Sequence, residues 1–331
     1  MSSSLPKVAI VVLNWNGRDD TIECLRSLEV LDYSNQRVIV VDNSSSDGSV
    51  GALRRNCDNV ELIENSTNLG FAEGNNVGIR RALLTDPAYV LLLNNDTVCS
   101  SDFLSRMIDF MEGNRDVGLC NPVQYSYNDR ETILAAGGTL NFVGQSSLNA
   151  QGLKDMKLGR PFETTYASGA CLLIRGDLLR ALGFLDGEMY FGAEDVDISL
   201  RFWIAGYRIV VVPDSIIFHK HSVSVSRMPN SWRVYFSVRS RIRMMIKNLQ
   251  WRTNIVAIPV CIMLQLLSIA IDLCVRRDYT IASSRIRAIG WNFTCLRSTC
   301  VERINVQARR KNPDRRFLNL VDWRNSISVQ K

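Results

Sequence analysis

The N-terminal part of the chain alternates short apolar runs with segments of helical spacing, and this alternation limits the folds it can adopt. Each run is rich in Val, Leu and Ile and lacks a polar face, which is typical of a parallel strand buried on both sides. The runs cover residues 8–13, 38–41, 60–63 and 89–93, and helices are predicted between them over 20–28, 50–55 and 72–84. This order predicts an α/β fold in which helices cover both faces of a mainly parallel sheet.

Three of these runs end in asparagine and aspartate. The polar clusters are Asn14 and Asn16 after the first run, Asp42 and Asn43 after the second, and Asn94 and Asp96 after the fourth. Each cluster alone is more often a turn, because Asn and Asp favour turns. The carboxyl ends of parallel strands meet at one sheet edge, where ligands bind, so together the clusters predict a polar ligand site.

The alternation weakens after Cys120. Residues 121–165 are interrupted by Pro and Gly and predict loops and short antiparallel strands. Further strands are predicted over 167–175 and 207–212, with a helix between them over 196–205 that Gly206 ends. We predict a first domain over residues 1–245 and a basic helical region over 246–331.

Glu194, Asp195 and Asp197 form an acidic cluster at the predicted start of that helix. Acids there interact favourably with the helix dipole, by roughly 0.3–1 kcal/mol each, so capping accounts for one or two of them. Crowding and partial burial of three acids would raise a carboxyl pKa toward neutrality, as a general base requires. The cluster therefore favours a catalytic site over a cap.

Two further segments indicate a metal site. Asn94, Asn95 and Asp96 place oxygen ligands at a strand end, which suits Mg²⁺ or Mn²⁺. His219 and His221 are the only histidines, and in an extended segment they would point to the same face. One imidazole added to oxygen ligands shifts the preference toward Mn²⁺, and we predict His219 as that ligand.

Five segments taken together resemble the serial motifs of family-2 glycosyltransferases, and in particular their rhamnosyltransferase-like group. The segments cover residues 8–17, 40–44, 68–72, 91–96 and 194–201, and the resemblance as a whole extends over about residues 7–245. It implies the GT-A fold of nucleotide-diphospho-sugar transferases and an inverting enzyme. Such an enzyme moves a sugar, rhamnose or another hexose, from a nucleotide-diphosphate sugar to a hydroxyl of a saccharide or polyprenyl-linked acceptor in polysaccharide or glycolipid assembly.

The resemblance also implies roles for individual residues. Asp42 would bind the nucleotide base, with Asn14, Asn16 and Ser44 in the same pocket. The residues implied near the ribose, diphosphate and donor sugar are Gly70, Phe71, Gly74 and Asn75, and Asn43 and Asn95 are further expected ligands of the nucleotide sugar.

The metal and the base follow from the same resemblance. Asn94 and Asp96 occupy the position of the family's DxD motif, with a neutral amide in place of the first acid, and His219 matches the metal-binding histidine. Asp195 matches the catalytic base and Glu194 the acid before it. The implied cofactor is Mn²⁺ or Mg²⁺, which would neutralise the leaving diphosphate while Asp195 deprotonates the acceptor.

Charge is distributed unevenly along the chain. Residues 1–226 carry 19 Lys/Arg and 28 Asp/Glu, whereas residues 227–331 carry 20 Lys/Arg and 5 Asp/Glu. A basic tail favours an anionic partner. No aromatic platform for nucleic acid accompanies it, so we expect an anionic membrane surface, bound through residues 233–290, and no nucleic acid. Nine scattered cysteines without a CxxC pair indicate a reducing compartment.

The apolar stretch within the tail supports the membrane hypothesis. Residues 253–271 carry no charge, contain Pro259, and have basic residues on both sides. A spanning helix needs about 20 apolar residues, so we favour an interfacial or re-entrant helix. A spanning helix and a buried helix or dimer surface remain alternatives, and the sequence leaves room for an oligomer. The expected location is the cytoplasm, peripheral or monotopic on the inner face of the cell membrane.

Two rival functions use the same fold. A sugar nucleotidyltransferase normally has a Gly-rich loop with a basic residue after the first strand, and residues 14–17 do not supply one. A non-catalytic sugar- or nucleotide-binding protein would be expected to have lost its base or its metal ligands. Asp195, Asp96 and His219 are all present, which favours the enzyme.

Overall fold

A mixed β-sheet forms the centre of the fold, and the N-terminal apolar runs build its parallel half. The computed structural model describes residues 5–57, 59–154, 158–220 and 228–320. The first four strands are β1 (Val8–Asn14), β2 (Gln36–Asp42), β3 (Val60–Glu64) and β4 (Tyr89–Asn94). β1 pairs in parallel with β2 and β4, and β2 pairs in parallel with β3. The predicted parallel sheet is confirmed.

The second half of the sheet is mixed. Its strands are β5 (Thr97–Cys99), β6 (Val117–Ser126), β7 (Ile133–Ala135), β10 (Phe162–Glu163), β11 (Cys171–Arg175) and β12 (Arg208–His219). The order along the sheet is β10-β12-β6-β11-β4-β1-β2-β3. β11 runs antiparallel to both β4 and β6, whereas β12 is parallel to β6. A separate hairpin joins β8 (Gly138–Leu140) and β9 (Ser146–Leu148).

Strand β6 was not predicted from the sequence, because Pro122 lies within it. Proline removes a ladder hydrogen bond and is rare in central strands. The ladder between β6 and β11 involves only Leu119 and Cys120, so Pro122 lies beyond the part of β6 that is paired on that side. On the other side Pro122 stands opposite Val212 of β12.

Helices cover both faces of the sheet, as alternate side chains of β1 show. Val11 packs into a core shared with α3 and α6, whereas Ile10 packs into a second core shared with α1 and α4. The helices of this part are α1 (Arg18–Glu29), α2 (Ser49–Asn56), α3 (Gly70–Leu83), α4 (Phe103–Gly113), α5 (Gly176–Leu182) and α6 (Glu194–Ile204).

The C-terminal region consists of helices that pack against the sheet domain. They are α7 (Asn230–Asn248), α8 (Trp251–Cys274), α9 (Tyr279–Thr294) and α10 (Leu296–Ala308). After α10 the chain returns to the sheet domain, where the fully buried Phe317 accepts a hydrogen bond from Thr165 at 2.6 Å. The division at residue 245 stays a prediction, and the described residues on its two sides share one core.

Helix α8 is strongly apolar, yet most of its surface is exposed. Among the described residues it is the one helix long and apolar enough to cross a membrane. A narrow stripe of Ala257, Cys261, Gln265 and Ile269 is buried against the protein. Large apolar side chains elsewhere on the helix face outward, with Ile255 66% and Leu267 59% exposed.

Candidate active site

The polar ends of β1 and β2 meet in a buried hydrogen-bond network. Asn14 donates to Asp42 at 2.7 Å, and Asn95 donates to Asn14 at 3.2 Å. The second carboxylate oxygen of Asp42 accepts from the backbone N–H of Ser45 at 2.9 Å. Asn14 and Asp42 are fully buried, so they hold the strand ends together from behind the cleft and do not form its wall.

Asn43, the first residue after β2, fixes the loop that enters α3. Its amide nitrogen donates to Asn68 at 2.9 Å and to the carbonyl of Gly70 at 3.0 Å. Its amide oxygen accepts from the N–H of Leu69 at 3.0 Å. Asn43, Gly70 and Phe71 all line the cleft.

The start of α3 is also tied to the loop that precedes α6. The carbonyl of Tyr190 accepts a hydrogen bond from Phe71 N–H at 2.7 Å. Gly70 has φ 77° and approaches so closely that an added Cβ would lie 2.6 Å from Cγ of Tyr190. Tyr190 and Ala193 also adopt positive φ, at 61° and 68°, although neither is glycine. Such strain persists only where the surroundings enforce it, and it is common at functional sites.

Besides Asn14 and Asp42, four more of the predicted nucleotide-sugar ligands lie outside the cleft wall, whereas Asn95 is part of it. Gly74 lets α3 approach β1, since an added Cβ would lie 2.7 Å from Leu13. Asn75 donates to the carbonyl of Phe71 within α3, and Asn16 accepts from the N–H of Ser46 at 2.7 Å. Ser44 is exposed and has φ 64°. Their roles as ligands stay predictions.

Asp195 and Glu194 open α6 and both line the cleft. Asp195 accepts hydrogen bonds from Gly169 N–H at 3.0 Å and Val196 N–H at 2.8 Å, which fix its carboxylate. Burial raises the pKa of Asp195. Burial, followed by the nearby charge of Asp195, raises the pKa of Glu194 to about 8. These shifts match the expectation from the acidic cluster.

The third acid of the cluster has a different environment. Asp197 is fully buried and forms ion pairs with Nζ of Lys247 at 2.8 Å and Nε of Arg201 at 3.1 Å. Lys247 also contacts Asp186 at 2.5 Å. Asp197 therefore joins α6 to α7, and only two of the three acids face the cleft.

Asp96 and His219 meet at the cleft end of β4 and β12. Oδ1 of Asp96 lies 3.0 Å from Nε2 of His219, and both residues are buried. The backbone N–H of Lys220 donates to the carbonyl of Asp96 at 3.0 Å, which holds the two segments together. Asn94 lines the same cleft. His221 lies outside the described residues.

This pair fits a hard divalent cation. A carboxylate oxygen and an imidazole nitrogen are ligands that Mn²⁺ accepts, and these two atoms, 3.0 Å apart in a hydrogen bond, lie close enough to contact one ion. Within the described part of the chain no group of three His, Cys, Asp or Glu side chains could hold a metal ion. The other ligands would therefore be oxygens of a different kind, such as the amide oxygen of Asn94.

The cleft that joins these groups has a volume of about 320 Å³. One wall is aromatic: Phe191 and Trp232 contact each other with ring centroids 5.2 Å apart, and Tyr190 lies beside them. Another wall contains Gln124 of the unpredicted strand β6. Sequence reasoning missed Gln124 and Phe191, since neither belongs to a motif and the aromatic residue follows a short 3₁₀ turn.

Comparisons with known proteins agree with this arrangement. Residues 9–183 match the family model described as Glycosyl transferase family 2. The low-salt glycan biosynthesis hexosyltransferase Agl10 of Haloferax volcanii is 26% identical over 253 residues, which cover 72% of this chain and 75% of that protein. The N-acetylglucosaminyl-diphospho-decaprenol L-rhamnosyltransferase of Mycobacterium tuberculosis is 25% identical over 256 residues, covering 70% of this chain and 80% of the relative.

Solved structures share the fold. A mannosyltransferase from Pyrobaculum calidifontis, determined in complex with GDP-Man and Mn²⁺, superposes with a TM-score of 0.56 at 19% identity and covers 88% of both chains. The fold is thus the GT-A fold that the sequence predicted, with an additional helical tail. Because the family match covers more than half of the 331 residues, the chain belongs to glycosyl transferase family 2 and is a glycosyltransferase.

Proposed function

We propose that the protein is a metal-dependent, inverting glycosyltransferase whose catalytic base is Asp195. The observation that carries the proposal is the presence of the fixed Asp195 carboxylate and the Asp96–His219 pair in one cleft. A base and a cation-binding pair in one cleft are what a single displacement at an anomeric carbon requires.

The donor would lie along the edge formed by the ends of β1, β2 and β4. Asn43, Gly70, Phe71 and Asn95 line the cleft there, while Asn14 and Asp42 hold the strand ends from behind. Asp96 and His219, with Asn94, would hold the divalent cation, Mn²⁺ or Mg²⁺. When bound, such an ion supplies positive charge that stabilises the leaving nucleoside diphosphate.

Asp195 would accept the proton of the acceptor hydroxyl as its oxygen attacks the anomeric carbon. The new C–O bond forms while the bond to the diphosphate breaks, and the nucleoside diphosphate leaves with the electron pair. The raised pKa of Asp195 makes its carboxylate a stronger base than an exposed aspartate. The N–H groups of Gly169 and Val196 aim it, so it needs no reorganisation during the reaction.

The acceptor that we propose is a saccharide carried on a polyprenyl diphosphate. One relative is named for transfer of L-rhamnose to N-acetylglucosaminyl-diphospho-decaprenol, and another is named as a hexosyltransferase. The aromatic wall of Tyr190, Phe191 and Trp232 suits the apolar face of a sugar ring. We propose rhamnose or another hexose as the transferred sugar.

The tail would bring the enzyme to its lipid-linked acceptor. Helix α8 presents exposed apolar side chains, and Phe293 of α9 and Ile304 of α10 are also exposed, by 74% and 69%. Arg252 lies in the first turn of α8 and Arg276 two residues after its end, and both would contact anionic headgroups. We propose that residues 233–290 dock on the cytoplasmic face of the cell membrane, with residues 246–331 as the membrane-associated region.

Transfer is tested with purified protein, Mn²⁺, a panel of nucleotide sugars and N-acetylglucosaminyl-diphospho-decaprenol as the acceptor. We expect one donor to give acceptor-dependent release of its nucleoside diphosphate, lost on chelation and strongly reduced in Asp96→Asn. Failure of every donor to react, or a rate unaffected by chelation and by Asp96→Asn, would contradict the proposal.

Membrane docking is tested by flotation with vesicles of phosphatidylglycerol and cardiolipin. We expect the wild-type protein to float and the double variant Leu266→Asp/Leu267→Asp to remain in the soluble fraction. Val30→Asp changes an equally exposed apolar side chain, 66% exposed, in the sheet domain and should float normally. Equal flotation of all three proteins would rule out docking through α8.

A further inference from the structure

The cleft contains two buried polar atoms that have no hydrogen-bond partner among the described residues. They are Nε2 of Gln124 and Oε2 of Glu194. Gln124 is 2% and Glu194 7% exposed, and both side chains line the cleft. Leaving a buried polar atom unpaired costs about 1–3 kcal/mol. Such a cost is expected where a group is retained for function at the expense of stability.

The surroundings of Gln124 narrow what it could bind. Gln124 lies on β6 opposite Ala135 of β7, on the wall built by residues 121–165. The described residues of this segment that reach the cleft are Gln124, Leu134, Ala135 and Leu148. Among the described residues of this wall Gln124 is thus the one polar side chain, which makes it the side chain there that can bind a hydroxyl group.

We propose that Gln124 selects the acceptor sugar, with its side-chain amide binding one hydroxyl group of the acceptor ring. Leu134 and Leu148 pack against the apolar part of the same ring. The inference rests on the proposed function, because it assumes that a saccharide acceptor enters this cleft. An amide donates and accepts, so it binds a hydroxyl with either of its two ends.

Glu194 supports this assignment independently. It adjoins the proposed base Asp195, lines the same cleft, and has a buried carboxyl oxygen without a partner among the described residues. Two such groups from different elements, one on β6 and one on α6, suit a ligand that has polar groups on more than one side. A sugar, with hydroxyl groups on several sides of one ring, is an occupant that pairs both.

The chain offers a matched control for Gln124. Asn121 lies three residues earlier on the same strand, is fully buried, and has neither side-chain amide atom paired within the described residues. It does not line the cleft. Asn121 therefore shares with Gln124 an unpaired, buried amide nitrogen but not its position beside the proposed acceptor.

The experiment compares kcat/KM for N-acetylglucosaminyl-diphospho-decaprenol and for analogues that each lack one hydroxyl of the sugar other than the one that attacks the donor. In the wild-type protein we expect one analogue to be poorer by about 10-fold or more, as the loss of a buried hydrogen bond predicts. In Gln124→Leu this penalty should shrink to about 2-fold or less, since the partner is already gone. Asn121→Leu should discriminate like the wild type.

The outcomes separate the inference from the proposed function. If wild type and Gln124→Leu discriminate equally among the analogues, Gln124 does not read the acceptor and the inference is wrong. If the wild type transfers to no probe, the proposed acceptor class is wrong, and the inference falls with it. A purely structural role for Gln124 would lower all rates together and leave the discrimination among analogues unchanged.

A stability measurement accompanies the kinetics. Replacing Gln124, whose buried amide nitrogen is unpaired, by Leu removes a desolvation cost, so the unfolding midpoint of Gln124→Leu should equal or exceed that of the wild type. A midpoint well below it would mean that the amide is satisfied within the protein, which would overturn the inference.

Discussion

Replacing Glu194 by glutamine should change how stability depends on pH. Glu194 is buried beside Asp195, and its pKa is raised to about 8, whereas an ordinary glutamate ionises near 4.5. Between these two pKa values the folded state therefore keeps the Glu194 proton that the unfolded state has lost. Stability is highest below the unfolded pKa and declines as the pH rises toward the folded pKa, because the unfolded state binds fewer protons in that window.

The size of the effect follows from the two pKa values. Each unit of difference corresponds to about 1.4 kcal/mol, and the part of the window between pH 6 and pH 9 represents about 2–3 kcal/mol. Glutamine has nearly the same shape and no charge, so Glu194→Gln should not lose this free energy. Urea denaturation of both proteins at the two pH values measures the difference.

The control for this experiment is Glu188→Gln, which alters an exposed carboxylate in the neighbouring loop. It should show the same pH dependence as the wild type. If wild type and Glu194→Gln lose equal free energy of unfolding between pH 6 and pH 9, Glu194 is not a buried neutral acid and the reasoning is refuted.

Two further substitutions test the framework of the site. Lys247→Met removes the buried ammonium group that pairs with both Asp186 and Asp197. It should lower the free energy of unfolding, measured by urea denaturation, by about 3 kcal/mol, because two buried carboxylates each lose a partner. A loss below about 1 kcal/mol would contradict this. Gly70→Ala combines a left-handed backbone with a clash against Tyr190. Gly48 also has a positive φ, 81°, but an added Cβ there meets no neighbour, so Gly48→Ala should lower the free energy of unfolding by about 1 kcal/mol. Gly70→Ala should lower it by more. Equal losses of unfolding free energy in the two variants would show that the loop before α6 moves away from the added methyl group without strain.

The elements of the parallel half were predictable because each satisfies two rules at once. Continuous apolar runs indicate strands buried on both faces, and Gly, Asn and Asp mark their ends. β1 and β4 begin at the predicted residues and end only one residue later than predicted. Strand β6 was not predicted because a proline, Pro122, is unfavourable in a central strand. The strand accommodates Pro122 because its ladder with β11 ends before this residue.

The sequence predicted which acids of the α6 start lie in the cleft better than it predicted which glycines do. Asp195 and Glu194 come together because they are sequence neighbours at one helix start. Gly70 and Gly74 belong to one segment, yet Gly70 lies in the cleft while Gly74 allows α3 to approach β1. Sequence does not separate these two uses, since both require the absence of a Cβ atom.

Asp197 and Gln124 also show what the sequence could not predict: Asp197 was expected in the site and lies outside it, whereas Gln124 was not expected and lies in it. The sequence predicted Asp197 as part of a catalytic cluster, but Asp197 forms a buried ion pair with Lys247, a residue distant in sequence. Gln124 belongs to no motif, and only its position opposite Ala135 reveals it in the cleft. Contacts between residues remote in sequence therefore decide which polar side chains face the ligand.

The central claim is that Asp195 is the base of a sugar transfer in this cleft. The most direct measurement is the acceptor-dependent transfer rate of Asp195→Asn, compared with the wild type and with Asp109→Asn, which alters an exposed acid on α4. Removing a general base should lower the rate by about 10²–10⁴-fold, while Asp109→Asn should transfer at the wild-type rate. An Asp195→Asn protein that transfers sugar at the wild-type rate would contradict the account.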